Sequence, residues 1–336
     1  MQLLQQLSGI EMRHWLLSLL LLLAPAHGET WTYQSTVLVP SQSWEFTPAN
    51  PQGSVFEPKV LPRTSCLIVA SPCLGMWYSG GWEKCSVGYA ETTDLTGKTG
   101  WIKYANNPIL GQGAGGVSQA CRKLVFQFEG YYFIVFVANA GAGTLYMVST
   151  MNGVTGLSAA AQTLAPGTYD LGLANSFMYQ NGSMCRLFYD SLTASPNAAW
   201  QVFSATGVCP NGPFVRDNNG LPLTTFQPKS GSYGVPSIQN LNGAPNYWNL
   251  ANLSTSYIPS DIYHSCDLVL GWVQFANSGN AIINHRAPAY DQVGDPWAMD
   301  LAGVGSIFAD EVNNSTPYAQ ISLWTTTGPL ASLPCP

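Results

Sequence analysis

Acidic side chains recur where predicted strands begin or end. Glu57 and Asp295 each stand directly before a proline at the start of a predicted strand, and Asp190 stands at the end of another. Asp310 and Glu311 adjoin each other at the end of a third. A pair of carboxyl groups can act as general acid and general base when one is protonated and the other is ionised. We therefore take Glu57, Asp295, Asp190 and Glu311 as candidate catalytic residues.

The same strand ends carry side chains that could bind a ligand. Arg122 could clamp a carboxylate or pair with a neighbouring acid, and Trp297 could stack on a flat ring. Asp295 before Pro296 could also simply shape the turn into its strand. The candidate ligand-binding residues are Tyr78, Arg122, Asn175, His264, Asp310 and Trp297.

A repeated pattern must position these residues. Between Leu74 and Tyr104 the chain reads as strand, turn, strand, turn and strand, with breaks at Ser79-Gly80-Gly81 and at Asp94 to Gly97. Similar meanders recur four more times, which predicts an all-β, five-bladed β-propeller whose inner strands line a central channel. The segment from Trp31 to Val39 is the expected closing strand. A β-sandwich or a solenoid of similar strands is the alternative.

The composition fits a turn-rich β protein. Charged residues make up 9% of the 336 residues and aromatic residues 12%, with 33 glycines and 23 prolines. The net charge of −6 and the absence of any lysine or arginine cluster argue against a nucleic-acid partner. The glycine-rich stretch at 111–116 lacks the lysine and the following helix of a phosphate-binding loop, so it is interpreted as a connector.

The first residues have the pattern of a secretion signal. A short basic start at Met12 to His14 precedes an apolar run from Trp15 to Leu23 and a small-residue cleavage region. The apolar run is too short for a membrane span. We expect residues 1–28 to be a signal peptide and residues 29–336 to form one propeller domain that is secreted, with glycosylation sequons at Asn181, Asn252 and Asn314.

The eight cysteines suit an oxidising compartment. We expect Cys66 to pair with Cys73 and Cys185 with Cys209, although eight cysteines allow many other pairings. No CxxC motif occurs, and only His264 and His285 remain after signal removal, so no metal site is predicted. A serine or cysteine hydrolase is also disfavoured, since no nucleophile elbow is present.

Several stretches resemble one propeller family. The segments MWYSGG and VGYAETTDLTGKTGWIKYANNPIL, within residues 76–110, resemble the blade signature of five-bladed β-propeller glycoside hydrolases. This superfamily includes arabinanases, levansucrases, invertases and glycoside hydrolase family 43. Further matches are Glu57-Pro58, Phe188-Tyr189-Asp190-Ser191, Ile262-Tyr263-His264-Ser265 and Asp295-Pro296. The resemblance covers about residues 54–328.

The resemblance also implies roles for individual positions. In that family a first-blade aspartate is base or nucleophile, a second-blade aspartate adjusts the pKa of the acid, and a later glutamate is the acid. Glu57 holds the first place with a longer side chain, Lys123 stands near the second and Asn175 near the third, whereas Asp295 keeps the Asp-Pro opening. The residues that could replace the missing acid are Asp190 and Glu311.

The function implied by the resemblance is glycoside hydrolysis. We expect a secreted enzyme that cleaves a plant- or microbe-type polysaccharide with a pair of carboxylates at the channel. A non-catalytic glycan-binding propeller is the alternative, and a structural protein that kept only the scaffold is a third. No cofactor is expected, with a structural cation in the channel left open. The expected partner is a carbohydrate and the expected state a monomer, without nucleic acid and without membrane after signal removal.

Overall fold

The computed structural model describes most of the chain after residue 30. Side chains are described through most of the first three sheets and the last one, and the sheet between them is described by its backbone only. The predicted signal peptide, His285 and the sequon residue Asn314 lie outside the described residues. The described ranges are 31–138, 143–193, 200–223, 233–240, 247–253, 258–265, 273–276, 292–313 and 318–327, together with residues 283, 286, 289–290 and 315–316.

Twenty strands form almost all of the regular structure of the described residues, with three single 3₁₀ turns beside them. The first meander consists of β2 (Val55–Arg63), β3 (Cys73–Gly80), β4 (Ser86–Thr92) and β5 (Ile102–Lys103). The second consists of β6 (Cys121–Phe128), β7 (Tyr131–Val137), β8 (Leu145–Thr150) and β9 (Ala161–Leu164). The third consists of β10 (Asp170–Asn181), β11 (Met184–Thr193), β12 (Trp200–Val208) and β13 (Val215–Arg216).

Two further groups of strands complete the sheets. One consists of β14 (Tyr233–Asn240), β15 (Tyr247–Leu253), β16 (Ile258–Ser265) and β17 (Val273–Ala276). The last consists of β18 (Gln292–Leu301), β19 (Val304–Asn313) and β20 (Tyr318–Thr325), joined by β1 (Thr32–Leu38) from the start of the described chain.

The strands pair into five antiparallel four-stranded sheets, and the prediction of an all-β propeller is confirmed. The sequence predicts five blades. Four of the five sheets are described with their side chains, and these four are established as blades. The expected closing strand is also confirmed, because β1 pairs with β20. We call the end of the propeller at which the inner strands β2, β6, β10 and β18 begin the mouth.

Apolar side chains from neighbouring sheets form the core between blades. One cluster joins the first two sheets around Trp77 and Ile134, and another joins the first and last sheets around Val60 and Phe308. Full burial of such side chains contributes about 1.5–3 kcal/mol each. The inter-blade packing therefore fixes the inner strands, and with them the residues at the mouth.

Every inner strand carries the same irregularity near the mouth. In β2 the register against β3 slips by one residue between Phe56 and Lys59, and equivalent slips occur in the four other inner strands. Glu57, Arg122 and Asp295 lie at these bulges with φ of 52°, 52° and 46°, a left-handed conformation that non-glycine residues rarely adopt. Bulges with strained backbone are common beside functional sites, because they redirect side chains.

Three disulfides are present in the described part of the chain. The predicted Cys66–Cys73 and Cys185–Cys209 pairs are both confirmed. A third pair, Cys85–Cys121, joins the first sheet to the second and was not predicted. Within the described ranges the structure contains no helix with the length and apolar character needed to cross a membrane.

Candidate active site

A cluster of charged side chains lies at the bulges of the inner strands. β2 contributes Glu57 and Lys59, and β6 contributes Lys123 from the second sheet. The last sheet adds Asp295 from β18 and Asp310 from β19. All except Asp295 are buried, and Asp295 keeps part of its surface exposed although protein encloses it closely. The propeller thus brings together acids that are far apart in sequence, as the strand pattern predicts.

The carboxylate of Glu57 is held by two donors. Its Oε2 accepts a hydrogen bond from Ser79 Oγ at 2.7 Å and another from the backbone N–H of Arg122 at 2.9 Å. These donors come from the adjacent strand β3 and from the next sheet. The bulge at Arg122 turns its N–H toward Glu57, so the position of this carboxylate depends on both blades.

Lys123 crosses from the second sheet to the first. Its Nζ donates to the backbone oxygen of Glu57 at 2.5 Å and to Ser79 Oγ at 3.0 Å. Burial lowers the pKa of the Lys123 ammonium to about 7, against the opposing effect of the Glu57 charge. Lys123 therefore changes between its charged and neutral forms near neutral pH. Its Nζ lies beside the Ser79 hydroxyl, which donates to the Glu57 carboxylate.

Asp295 and Asp310 form a pair of acids that favour protonation. Burial raises the pKa of the Asp295 carboxyl well above its ordinary value, and the neighbouring Asp310 and Glu57 charges add to that shift. Burial, followed by the Glu57 charge, raises the pKa of Asp310 to about 7. The backbone N–H of Glu57 points to Asp310 Oδ1 at 3.4 Å. A proton is therefore held among these acids in weakly acidic solution.

Lys59 is a second buried cation in the cluster. Burial lowers the pKa of its ammonium, while the surrounding acids Asp295, Glu57 and Asp310 act in the opposite direction. Its Nζ lies 5.0 Å from the centre of the Trp297 ring. Lys59 and Lys123 thus place two amino groups among the carboxyl groups of the cluster.

The third sheet contributes Asp190 and Asn175. Asp190 is buried, and its Oδ2 accepts a hydrogen bond from Asn175 Nδ2 at 3.2 Å. The charge of Asp190 also acts on Lys59, which connects it electrostatically to the cluster. Asn175 and Arg122 are both half-buried. Among the predicted residues whose side chains the structure describes, these two and Asp295 keep exposed surface at the mouth.

Two of the predicted residues, Tyr78 and Trp297, have other contacts. Tyr78 is fully buried and donates its hydroxyl hydrogen to Glu45 Oε1 at 2.9 Å, away from Glu57. Neighbouring residues of a strand face opposite sides, so Ser79 rather than Tyr78 reaches the cluster. Trp297 is buried and its indole N–H donates to Val60 O at 2.8 Å, which gives the ring a packing role.

Glu311 also differs from the expectation. Its carboxylate is fully buried in a salt bridge with Arg286 at 2.6 Å and accepts a hydrogen bond from Ser322 Oγ at 2.6 Å. Glu311 follows Asp310 on the same strand and faces the other side, toward β1 and β20. We therefore leave Glu311 out of the proposed catalytic set. The backbone of His264 lies in β16, and its side chain is outside the described residues.

Two residues of the site, Lys59 in the charged cluster and Ser79 beside it, are absent from the sequence predictions. Lys59 follows Glu57 by two residues, and Ser79 belongs to the Tyr-Ser-Gly end of β3. The one-residue bulge in β2 lies between Phe56 and Lys59, so alternation along the sequence does not show which residues of β2 and β3 come together at Glu57.

One group of possible metal ligands occurs in the described residues, at the opposite end of the first sheet. It consists of Cys66, Cys73 and Glu91. The two cysteines form a disulfide, and the carboxylate of Glu91 accepts hydrogen bonds from the backbone N–H groups of Leu67 and Ile68. These contacts explain the group without a metal.

No protein-family model matches the sequence, and no curated protein matches it either. Solved structures do match. The catalytic domain of a Coprinopsis cinerea GH62 α-L-arabinofuranosidase is 13% identical, with a TM-score of 0.65 over 89% of this chain and 97% of that one. The fold is shared with glycoside hydrolase propellers.

Two other neighbours agree with this likeness. An α-L-arabinofuranosidase from Podospora anserina, solved with cellotriose, is 11% identical with a TM-score of 0.64, over 90% of this chain and 98% of that one. Zg3597, a family 117 glycoside hydrolase from Zobellia galactanivorans, is 12% identical with a TM-score of 0.59, over 89% and 91%. At such identities the likeness establishes the fold alone.

Replacing Asp310 by asparagine should change how stability depends on pH. The folded-state pKa of about 7 lies above the ordinary value of 3.8, so folded protein retains a proton that unfolded protein releases between these values. Wild-type stability should therefore fall relative to Asp310→Asn as pH rises from about 4 to 7, by at most about 1.4 kcal/mol per pH unit. Urea unfolding of both proteins across this range measures the difference.

Asp94 provides a control of opposite sign. Slight burial would raise the pKa of Asp94, but hydrogen bonds from Thr96 and Thr99 lower it overall. The stability that Asp94 contributes should therefore be present above about pH 4 and be lost below it, so Asp94→Asn should differ from wild type most above that pH. A wild-type to Asp310→Asn difference that stays constant from pH 4 to 7 would contradict the assignment of a raised pKa.

Proposed function

We propose that this chain is a secreted glycoside hydrolase that cleaves a plant- or microbe-type polysaccharide at the mouth of a five-bladed propeller. The observation that carries the proposal is that the partly exposed Asp295, whose pKa burial raises, belongs to one charged cluster with the ordered carboxylate of Glu57. Glycoside hydrolysis needs one carboxyl group that donates a proton and a second that activates water or attacks the sugar. The fold shared with glycoside hydrolases supports the same function.

The proposed chemistry assigns one role to each group. Asp295 gives its proton to the glycosidic oxygen as the bond to the anomeric carbon breaks. Glu57 takes a proton from the water that adds to that carbon, or attacks the carbon itself before water releases the sugar. Asp310 keeps a proton available near Asp295, and Lys123 with Ser79 holds Glu57 in place. The products are two shorter saccharides, with one water consumed.

We also propose that the sheet of β14 to β17 is the fourth of five blades. Its inner strand has the same one-residue slip, between Gly234 and Ser237, as the inner strands of the other four sheets. A shared bulge at equivalent positions supports one repeating unit. The oxidised cysteine pairs and the predicted signal at residues 1–28 support secretion of a single-domain protein.

A non-catalytic glycan-binding propeller is the second candidate. It is favoured by the three cations Lys59, Lys123 and Arg122 close to the acids, because charges neutralised within the protein are less available for proton transfer. In this case Asn175, Arg122 and Asp295 would hydrogen-bond sugar hydroxyls without cleavage. Binding of a glycan without its turnover would favour this candidate.

Turnover of a polysaccharide panel tests the proposal. We expect the wild-type protein to release reducing ends from at least one of arabinan, xylan, fructan and mannan. Glu57→Gln should lower kcat about a hundredfold, because glutamine keeps the size of the side chain but cannot accept a proton. Reducing-end assays on purified proteins, with melting temperatures beside them, measure this effect.

Glu129→Gln is the matched control, since Glu129 lies exposed in the β6–β7 turn at the end opposite the mouth. Its turnover should equal that of the wild type. Equal turnover of Glu57→Gln and the wild type would remove Glu57 from the mechanism.

A further inference from the structure

An exposed tryptophan lies at the mouth beside the charged cluster. Trp82 begins a 3₁₀ turn, Trp82–Lys84, between β3 and β4, and 47% of its surface is exposed. β3 ends at Gly80, which pairs with Val55 at the start of β2. The turn is therefore at the same end of the first sheet as Glu57, and its ring faces solvent there.

The ring of Trp82 packs against Phe56. Its centre lies 5.3 Å from the ring of Phe56, at an interplanar angle of 51°. The backbone N–H of Trp82 donates to Ser54 Oγ at 3.1 Å. Phe56 directly precedes Glu57 in β2, so the exposed ring rests on the residue next to the candidate base. A side chain that is already ordered loses little entropy when a ligand binds it.

The turn that carries Trp82 is also joined to the second sheet. Cys85 forms a disulfide with Cys121, the residue before Arg122. The backbone oxygen of Cys85 accepts a hydrogen bond from the N–H of Ala120 at 2.9 Å. Gln119 Nε2 donates to Glu83 O at 3.1 Å. Trp82 is therefore held in a fixed relation to the two sheets that provide Glu57 and Arg122.

Isolated exposed apolar residues are ordinary on protein surfaces. Tyr131 and Met151, two other large exposed side chains in the described chain, lie at the end opposite the mouth, whereas Tyr169 and Leu171 lie at the start of the inner strand β10. Trp82 differs from these four in its packing against Phe56, the residue before Glu57. An indole face offers an apolar surface on which the C–H groups of a sugar ring can pack while its hydroxyls stay in water.

We propose that Trp82 is a stacking platform for a sugar ring of the polysaccharide, in a subsite beyond the bond cleaved at Glu57 and Asp295. The inference rests on the proposed function and adds a substrate preference to it. A chain long enough to reach Trp82 gains binding there, whereas a short saccharide held only by the carboxyl cluster does not. The protein should therefore prefer oligomers over the smallest substrate it can cleave.

A ladder of oligosaccharides prepared from the polysaccharide that the wild type cleaves tests this subsite. Dissociation constants from the disaccharide to the hexasaccharide are measured by calorimetry in the Glu57→Gln background, where turnover does not interfere. Trp82→Ala should weaken binding of the long members roughly tenfold and leave the disaccharide unchanged. Trp82→Phe should retain part of the tighter binding of long oligosaccharides. Tyr131 is an exposed aromatic at the other end of the propeller, so Tyr131→Ala should retain all of that binding.

The outcomes separate the subsite from the proposed function. Turnover by wild type together with equal chain-length dependence in Trp82→Ala would overturn the subsite and leave the glycoside hydrolase proposal standing. An equal loss for all lengths would indicate a general change of the mouth and also overturn it. Absence of both binding and cleavage of every glycan in the panel would overturn the two proposals together. Loss confined to long oligomers would establish the platform.

Discussion

Asp295→Asn is expected to lower kcat on the polysaccharide about a thousandfold, within the range known for loss of a general acid. The substitution keeps the shape of the side chain and removes the proton that burial and the charges of Asp310 and Glu57 hold on it. In wild type, kcat should fall as pH rises through the raised pKa of Asp295, because the ionised form has no proton to donate. Initial rates from pH 4 to 9 for both proteins measure the two effects.

The leaving group distinguishes this role from a structural one. A nitrophenyl glycoside departs as a stable phenolate and needs little protonation, so Asp295→Asn should lower its hydrolysis far less than that of the polysaccharide. Glu129→Gln, which changes an exposed acid at the other end of the propeller, should match the wild type on both substrates. An equal loss on both substrates, with the alkaline limb of the pH profile retained, would exclude Asp295 as the acid.

The repeat in the sequence predicts the strands well because each one is short, alternating and bounded by strong turn residues. The closing strand β1 follows from the same logic, since a circular array leaves its last sheet one strand short. The two disulfides that were predicted close local loops. Cys85–Cys121 was missed because it joins neighbouring sheets, and the spacing of cysteines along the chain does not show which sheets are adjacent.

The site was predicted less well, for a local reason. Tyr78 was selected in place of Ser79, and Glu311 was included beside Asp310, because adjacent strand residues face opposite sides and the sequence does not state which side faces the channel. The bulges in the inner strands β2 and β18 also shift by one residue which positions of β3 and β19 lie opposite the candidate acids. The left-handed backbone at Glu57 is likewise invisible in a sequence that contains no glycine there.

Buried charges also reveal their partners only in three dimensions. Lys59 and Lys123 resemble ordinary strand lysines in the sequence, yet both are enclosed among acids from distant segments. Arg286 belongs to the connection before β18. It forms an ion pair with Glu311 in β19 and donates a hydrogen bond to Thr36 in β1, so it links two strands of the last sheet. Charged residues are few in the composition, and many of them are buried in the fold.

Glu91→Ala is expected to destabilise the fold by about 3 kcal/mol. The fully buried carboxylate of Glu91 accepts hydrogen bonds from the backbone N–H groups of Leu67, Ile68 and Val69, at 2.6 to 3.2 Å, and from the Tyr89 hydroxyl at 2.6 Å. Hydrogen bonds to a charged group contribute about 1.5–3 kcal/mol each, and water can replace part of them in the half-exposed loop. Urea unfolding at pH 7 measures the loss.

Two further substitutions, one at Glu91 and one at an exposed acid, complete this experiment. Glu91→Gln keeps one acceptor oxygen and should lose less stability than alanine, whereas Glu83→Ala removes an exposed acid and should change stability by less than about 0.5 kcal/mol. Glu91 pairs with Gly75 near the start of β3, at the end of the sheet away from the mouth, so substrate KM should stay constant in protein that remains folded. Equal stability of Glu91→Ala and wild type would mean that the loop at 66–73 satisfies its own N–H groups, and the carboxylate would then need another explanation for its complete burial.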